Sequence, residues 1–165
     1  MCSSDLAVSE ELARAERAQL ALSDRLRATS ERPITIHLGQ DLRVTGPVQE
    51  VGLDWLELRE QPSGARVIVP SASISLIAGL SDRARPPEET LRPPRSLGSV
   101  LRGIARDRGV VRLETRAGRL IGRIATVGAD ALDMHQLPTG ERSSPSTGSA
   151  RITVAMSALL AIRPG

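Results

Sequence analysis

The chain has 165 residues, of which 40% are hydrophobic, 25% charged and 1% aromatic, enough for one large domain or two small ones. No apolar run approaches the roughly 20 residues of a membrane span. The opening Met1-Cys2-Ser3-Ser4-Asp5 lacks the basic and apolar regions of a secretory signal, so a cytoplasmic protein with no membrane partner is expected. One cysteine, Cys2, and two histidines, His37 and His135, exclude an internal disulfide and a structural zinc site.

Lys, Asn, Phe and Tyr are absent, and all 22 basic residues are Arg. These four missing residues use AT-rich codons, so the arginine bias reads as the mark of a GC-rich bacterial genome. A high isoelectric point is then a weak pointer to nucleic acid. The charge is uneven: residues 1 to 80 hold 8 Arg against 11 acids, whereas residues 81 to 165 hold 14 Arg against 8. Only the second half offers a basic surface to phosphates or to an acidic partner.

In chain order, the spacing predicts a helix from about Asp5 to Thr29, with Val8, Leu12, Ala15, Gln19, Leu22 and Leu26 three or four apart. Pro33 stops it. That seam either seats on the body of the protein or pairs with a second helix. The intramolecular option is favoured, because Ala15 and Gln19 make a poor coiled-coil core.

Strands follow with period-two alternation: Ile34, Ile36 and Leu38 inward, then Val44 and Val48, Leu56 and Leu58, and Val67 and Val69. Residues 81 to 95, with two Pro-Pro pairs, read as a stiff extended linker. Beyond it, Leu97, Val100, Leu101 and Ile104 mark a short amphipathic helix, and a second set of strands runs to the end. Pro138 to Ala150, rich in Ser, is expected to be a mobile surface loop between two of those strands.

The two halves repeat one another. Residues 44 to 58 and 120 to 134 share the pattern apolar-x-Gly-x-apolar-x-x-Val-Gly-x-Asp-x-Leu-x-apolar. Downstream, Arg66-Val67-Ile68-Val69 with Ile74 and Ile77 matches Arg151-Ile152-Thr153-Val154 with Leu159 and Ile162. Upstream, Leu22, Leu26 and Ile34-Thr35-Ile36 match Leu97, Leu101 and Val111-Arg112-Leu113. A match in order through a whole unit marks an internal repeat. Gly46 and Gly122 fall inside long second strands, where a missing side chain permits a sharp bend, and Gly52 and Gly128 make tight turns with Asp54 and Asp130. These are structural roles. The expected domains are 1–80, a linker at 81–95, and 96–165.

This succession of helix, strands, bend glycine, Val-Gly-x-Asp turn, variable loop and two short closing strands resembles the Sm fold, the SH3-like small barrel of Sm and Sm-like proteins including Hfq. The resemblance covers about residues 22 to 80 and 97 to 163. It implies a mainly β protein with helices (α+β): two tandem Sm-like five-stranded barrels, each preceded by a helix. Because such barrels join fourth strand to fifth, it also implies an intramolecular barrel-to-barrel pairing, with further self-association open. The whole chain also resembles an uncharacterised family of GC-rich bacteria sometimes labelled Fis-type transcriptional regulators, although no helix-turn-helix pair is visible here.

In Sm-like proteins that bind RNA, a stacking side chain and an Asn lie at the turn between the second and third strands, with Arg-Gly between the last two strands. Trp55 stands at the stacking position. Glu57 and Asp133 stand where Asn is expected, and Pro70-Ser71-Ala72-Ser73 and Ala155-Met156-Ser157-Ala158 replace Arg-Gly. A uridine pocket is therefore largely missing, and so is the Tyr-Lys-His signature of Hfq.

For catalysis, neither His37 nor His135 has a Ser, Cys or carboxylate partner at a recognisable spacing, and no phosphate-binding Gly-rich loop is present. No enzymatic activity and no cofactor or metal are expected. Trp55 alternates with the inward Leu56 and Leu58 and so lies on the outer face of its strand. It packs against the linker, a helix or the sister barrel, or else anchors a partner. Arg95, Arg102, Arg106, Arg108 and Arg112 head a basic segment that is either a solvated face or a grip for phosphates. The expected function is a non-enzymatic scaffold or regulatory binding module with an unknown protein partner; the alternative is a nucleic-acid-binding regulator using the arginine face of the second unit.

Overall fold

The computed structural model describes residues 3–18, 21–29, 31–39, 41–85, 93–137 and 150–165. The protein is mainly β with three helices among these residues. The first unit comprises α1 (Ser3–Ala18), α2 (Leu22–Arg27), β1 (Ile34–Leu38), β2 (Leu42–Gly46), β3 (Val48–Val51), β4 (Trp55–Arg59), β5 (Arg66–Pro70) and β6 (Ile74–Ala78). The second comprises α3 (Leu97–Asp107), β7 (Val110–Thr115), β8 (Gly118–Val127), β9 (Ala131–Gln136), β10 (Arg151–Ala155) and β11 (Leu159–Pro164). A one-turn 3-10 segment precedes the last strand of each unit, at Ser71–Ser73 and Met156–Ala158.

The repeat is written in the hydrogen bonds as well as the residues. Ser71 N donates to Asp54 O at 2.9 Å and Met156 N to Asp130 O at 2.8 Å. Gly52 N donates to Trp55 O, Gly128 N to Ala131 O, Gln61 N to Thr45 O and Leu137 N to Ile121 O, all at 2.8 Å. The bend glycines have one cause in common: a Cβ at Gly46 would overlap the Arg59 carbonyl, and one at Gly122 the His135 carbonyl. Only a bare backbone lets the two strands cross so closely.

Among the described residues the strand pairings form no closed barrel. The strands form a three-stranded sheet, β2-β1-β6, and an eight-stranded sheet, β10-β9-β8-β7-β11-β5-β4-β3. The second unit keeps its five strands in one sheet because β8 is continuous, pairing with β7 along its first part and with β9 along its second. In the first unit Pro47, which has no N–H to donate, follows Gly46 and splits the equivalent strand into β2 and β3, one in each sheet. The second unit's strands thus lie in one sheet and the first unit's in two, with Gln61 N to Thr45 O and Arg59 N to Pro47 O (3.1 Å) still tying β2 and β3 to the end of β4.

The N-terminal helix differs from the sequence expectation in a second way. Ala21 is extended (φ −73°, ψ 147°) and begins α2 as a separate helix. Leu26 is buried with the first unit's core, whereas Leu6, Val8 and Leu12 of α1 are 56–62% exposed. Among the described residues the seam expected to seat on the body of the protein does so only through α2, and Gln19 lies outside them. The start of the linker follows α2, with Arg85 N donating to Asp24 O (2.8 Å) and Arg25 Nε to Ser81 O (3.2 Å). The stretch 86–92 at the centre of the predicted stiff linker, and 138–149 of the predicted Ser-rich loop, lie outside the described residues.

Two apolar cores form, and they are cross-stitched. Ile36, Leu38, Val44, Leu56, Leu58, Val67 and Val69 fill the first, which also takes Leu160 and Ala161 from β11. Leu101, Val111, Leu113, Ile124, Leu132, Met134 and Ile162 fill the second, which also takes Trp55 and Ile68 from β4 and β5. The joint is the pairing of β5 with β11, Ile68 opposite Ile162. Every residue of β4 except Arg59 is buried, because its inner face meets its own core and its outer face meets the other.

Candidate interaction surfaces

Trp55 is fully buried, and its indole Nε1 donates to Arg95 O at 2.8 Å. The same carbonyl accepts from Leu53 N (3.0 Å), and Asp54 Oδ1 accepts from Leu97 N at 2.6 Å. The turn before β4 therefore holds the N-terminus of α3, whose Ser96 cap accepts from Ser99 N (3.2 Å). Helix N–H groups lack intrahelical partners, so this first-unit carboxylate fixes the entry of the second unit's helix. Trp55 is spent inside the molecule and is not an outward anchor for a partner. Alternation showed that it leaves its own core; the sister core that receives it was one of several options.

Glu57, which shares the outer face of β4 with Trp55, is also buried, and accepts from Arg66 Nε at 2.6 Å. Its repeat equivalent Asp133 accepts from Thr153 Oγ1 (2.6 Å), Arg151 Nη2 (2.8 Å) and Thr126 Oγ1 (3.2 Å). The Thr153 hydroxyl first, and then the Arg151 guanidinium, hold the Asp133 carboxyl at about 2, below its ordinary 3.8. At the joint, Arg163 bonds Glu60 (3.0 and 3.3 Å) from the first unit and Glu114 (3.2 Å) from the second, and Ser73 Oγ donates to Leu160 O (3.2 Å).

The predicted basic residues divide between two places. Arg102 and Arg106 are exposed on α3, away from the buried Leu97, Val100 and Leu101. Arg108 closes the helix in the left-handed conformation (φ 53°), and its carbonyl accepts from Arg123 Nε at 3.1 Å. Arg112 projects from β7 on the side opposite Val111 and Leu113. Arg95 stands before α3, within 3.7 Å of Glu50. Among the described residues Arg102, Arg106, Arg108, Arg112 and Arg123 form no ion pair.

His135 is exposed on β9 and His37 half-buried on β1. Among the described residues no three His, Cys, Asp or Glu side chains are grouped to hold a metal ion, and no helix is long and apolar enough to cross a membrane. Comparison of the chain with family models, with curated proteins and with solved structures finds no match.

Proposed function

We propose that the protein is a non-enzymatic scaffold or binding module made of two Sm-like units fused through one continuous sheet. The observation that supports this reading is the β5·β11 joint, where Trp55 and Ile68 enter one core and Leu160 enters the other. Such mutual insertion makes the units a single rigid platform. Of the four sheet-edge strands among the described residues, β2, β3, β6 and β10, the last two stand free at the positions that correspond to the joint. They are the repeat equivalents of the two strands already joined. Unpaired strand edges present rows of N–H and C=O groups that readily add a further strand. Leu76, 54% exposed on β6, gives that edge an apolar contact.

Sedimentation velocity over a concentration series tests this. The module reading expects reversible association beyond the single chain, abolished by Leu76→Arg. A single-chain mass at every concentration, for both proteins, removes the support for edge-mediated scaffolding. A second reading, a regulator that binds nucleic acid through the second unit, is favoured by the exposed arginines of α3 and β7 that lack carboxylate partners.

A further inference from the structure

The strand register of the second unit assembles a basic surface that no sequence window contains. On β7 to β10, Val111, Leu113, Gly122, Ile124, Leu132, Met134 and Val154 are buried, so the residues alternating with them face outward. Arg123 of β8 lies opposite His135 of β9, and His135 opposite Arg151 of β10, giving a row of three basic side chains across adjacent strands. Neighbouring strands lie about 4.8 Å apart, so the row runs roughly 10 Å. Arg112, one step along β7, lies opposite the half-exposed Ile121. Arg108 adjoins the row through its bond from Arg123.

The carboxylates on this face are already engaged. Asp133 is held by Thr153, Arg151 and Thr126, and Glu114 by Arg119 (2.9 Å) and Arg163. Arg112 and Arg123 have no carboxylate within ion-pair distance among the described residues, so the face carries uncompensated positive charge.

We propose that this outer face of β7 to β10, with Arg112, Arg123, His135 and Arg151 as its contacts, binds the phosphate backbone of double-stranded nucleic acid. The inference rests on the nucleic-acid reading above and relocates it from the helix to the sheet. Charge complementarity selects a polyanion. The lack of an exposed Trp, Tyr or Phe favours the duplex: single-strand binders use such platforms, and the chain's one residue of these types, Trp55, is fully buried. Contacts to phosphate alone carry no base information, so binding is independent of sequence.

The test is fluorescence anisotropy of the full chain with a labelled DNA duplex and with one of its strands, over a salt series. The expected result is duplex binding that falls steeply with salt. Arg112→Ala with Arg123→Ala should weaken it roughly tenfold and lower the log–log salt slope by about 1.8, since each phosphate contact contributes about 0.9. Arg112→Lys with Arg123→Lys should retain most of the affinity, and Arg102→Ala with Arg106→Ala should bind as the wild type; thermal melts of all three establish that they fold. Absence of salt-sensitive binding to either probe overturns both this inference and the nucleic-acid reading. If the helix pair rather than the sheet pair loses affinity, the sheet assignment alone is wrong. Tighter binding of the single strand overturns the duplex assignment.

Discussion

Removing the Trp55 side chain tests the joint between the units most directly. The indole is fully buried in the second unit's core while its backbone belongs to a first-unit strand, and it lies over Gly52, where a Cβ would overlap the ring. Truncating so large a buried aromatic typically costs about 3–5 kcal/mol, through lost burial and the cavity left behind. The bond from Nε1 to Arg95 O adds little beyond this: the carbonyl keeps Leu53 N as a donor, so its loss falls near the lower end of the usual 0.5–1.5 kcal/mol or so. Trp55→Ala should therefore lower Tm by about 6–20 °C. Trp55→Phe, which retains most of the apolar volume, should cost about 1–2 kcal/mol. Far-UV circular dichroism in a urea series measures both variants. In the wild type Trp55 is the sole aromatic fluorophore, so its emission should report the same midpoint as the backbone signal. A loss under about 1 kcal/mol for Trp55→Ala, or a fluorescence transition separate from the dichroism transition, would refute the cross-stitched core.

Leu56 and Leu132 are repeat equivalents, buried to 0% and 1% exposure in the first and second cores, and either change to Ala should cost about 2–5 kcal/mol in the same urea assay. Gly46→Ala and Gly122→Ala should each destabilise severely, because the new methyl meets a backbone carbonyl that cannot swing aside; Gly109→Ala, with nothing within 4 Å of the added methyl, should be tolerated in parallel melts. Asp133 supplies a pH test. Its folded-state value of about 2 lies below its ordinary 3.8, so its stabilisation is complete above the higher value and lost as pH falls toward the lower. Wild type should exceed Asp133→Asn in Tm near neutrality, and the gap should close on acidification through that window; a gap that widens would contradict the assigned hydrogen bonds.

Much of the candidate surface was legible before folding, but in fragments. Arg112 belongs to the basic segment read from the sequence and Arg123 follows on the next strand, yet His135 and Arg151 lie on two further strands. Only the antiparallel register of β8, β9 and β10 places Arg123, His135 and Arg151 in one row. Arg102 and Arg106, by contrast, share a helix face that spacing alone identifies, since Leu97 and Leu101 occupy the opposite side.

The sequence by itself determined the local and periodic features: two copies of one unit, the alternating inward residues of each strand, the bend glycines and the turn aspartates. These depend on neighbours a few positions apart, whose geometry is set by strand pleat and backbone sterics. Tertiary structure decided what alternation leaves undefined, namely what covers the second face of a strand. Period two puts Trp55 and Ile68 opposite Leu56 and Val67, but burial of that outer face depends on α3 and the sister core, which the chain reaches only after residue 96. The same dependence governs the joint itself: β5 takes β11 from the other unit as its neighbour, a pairing that exists only once both units are folded.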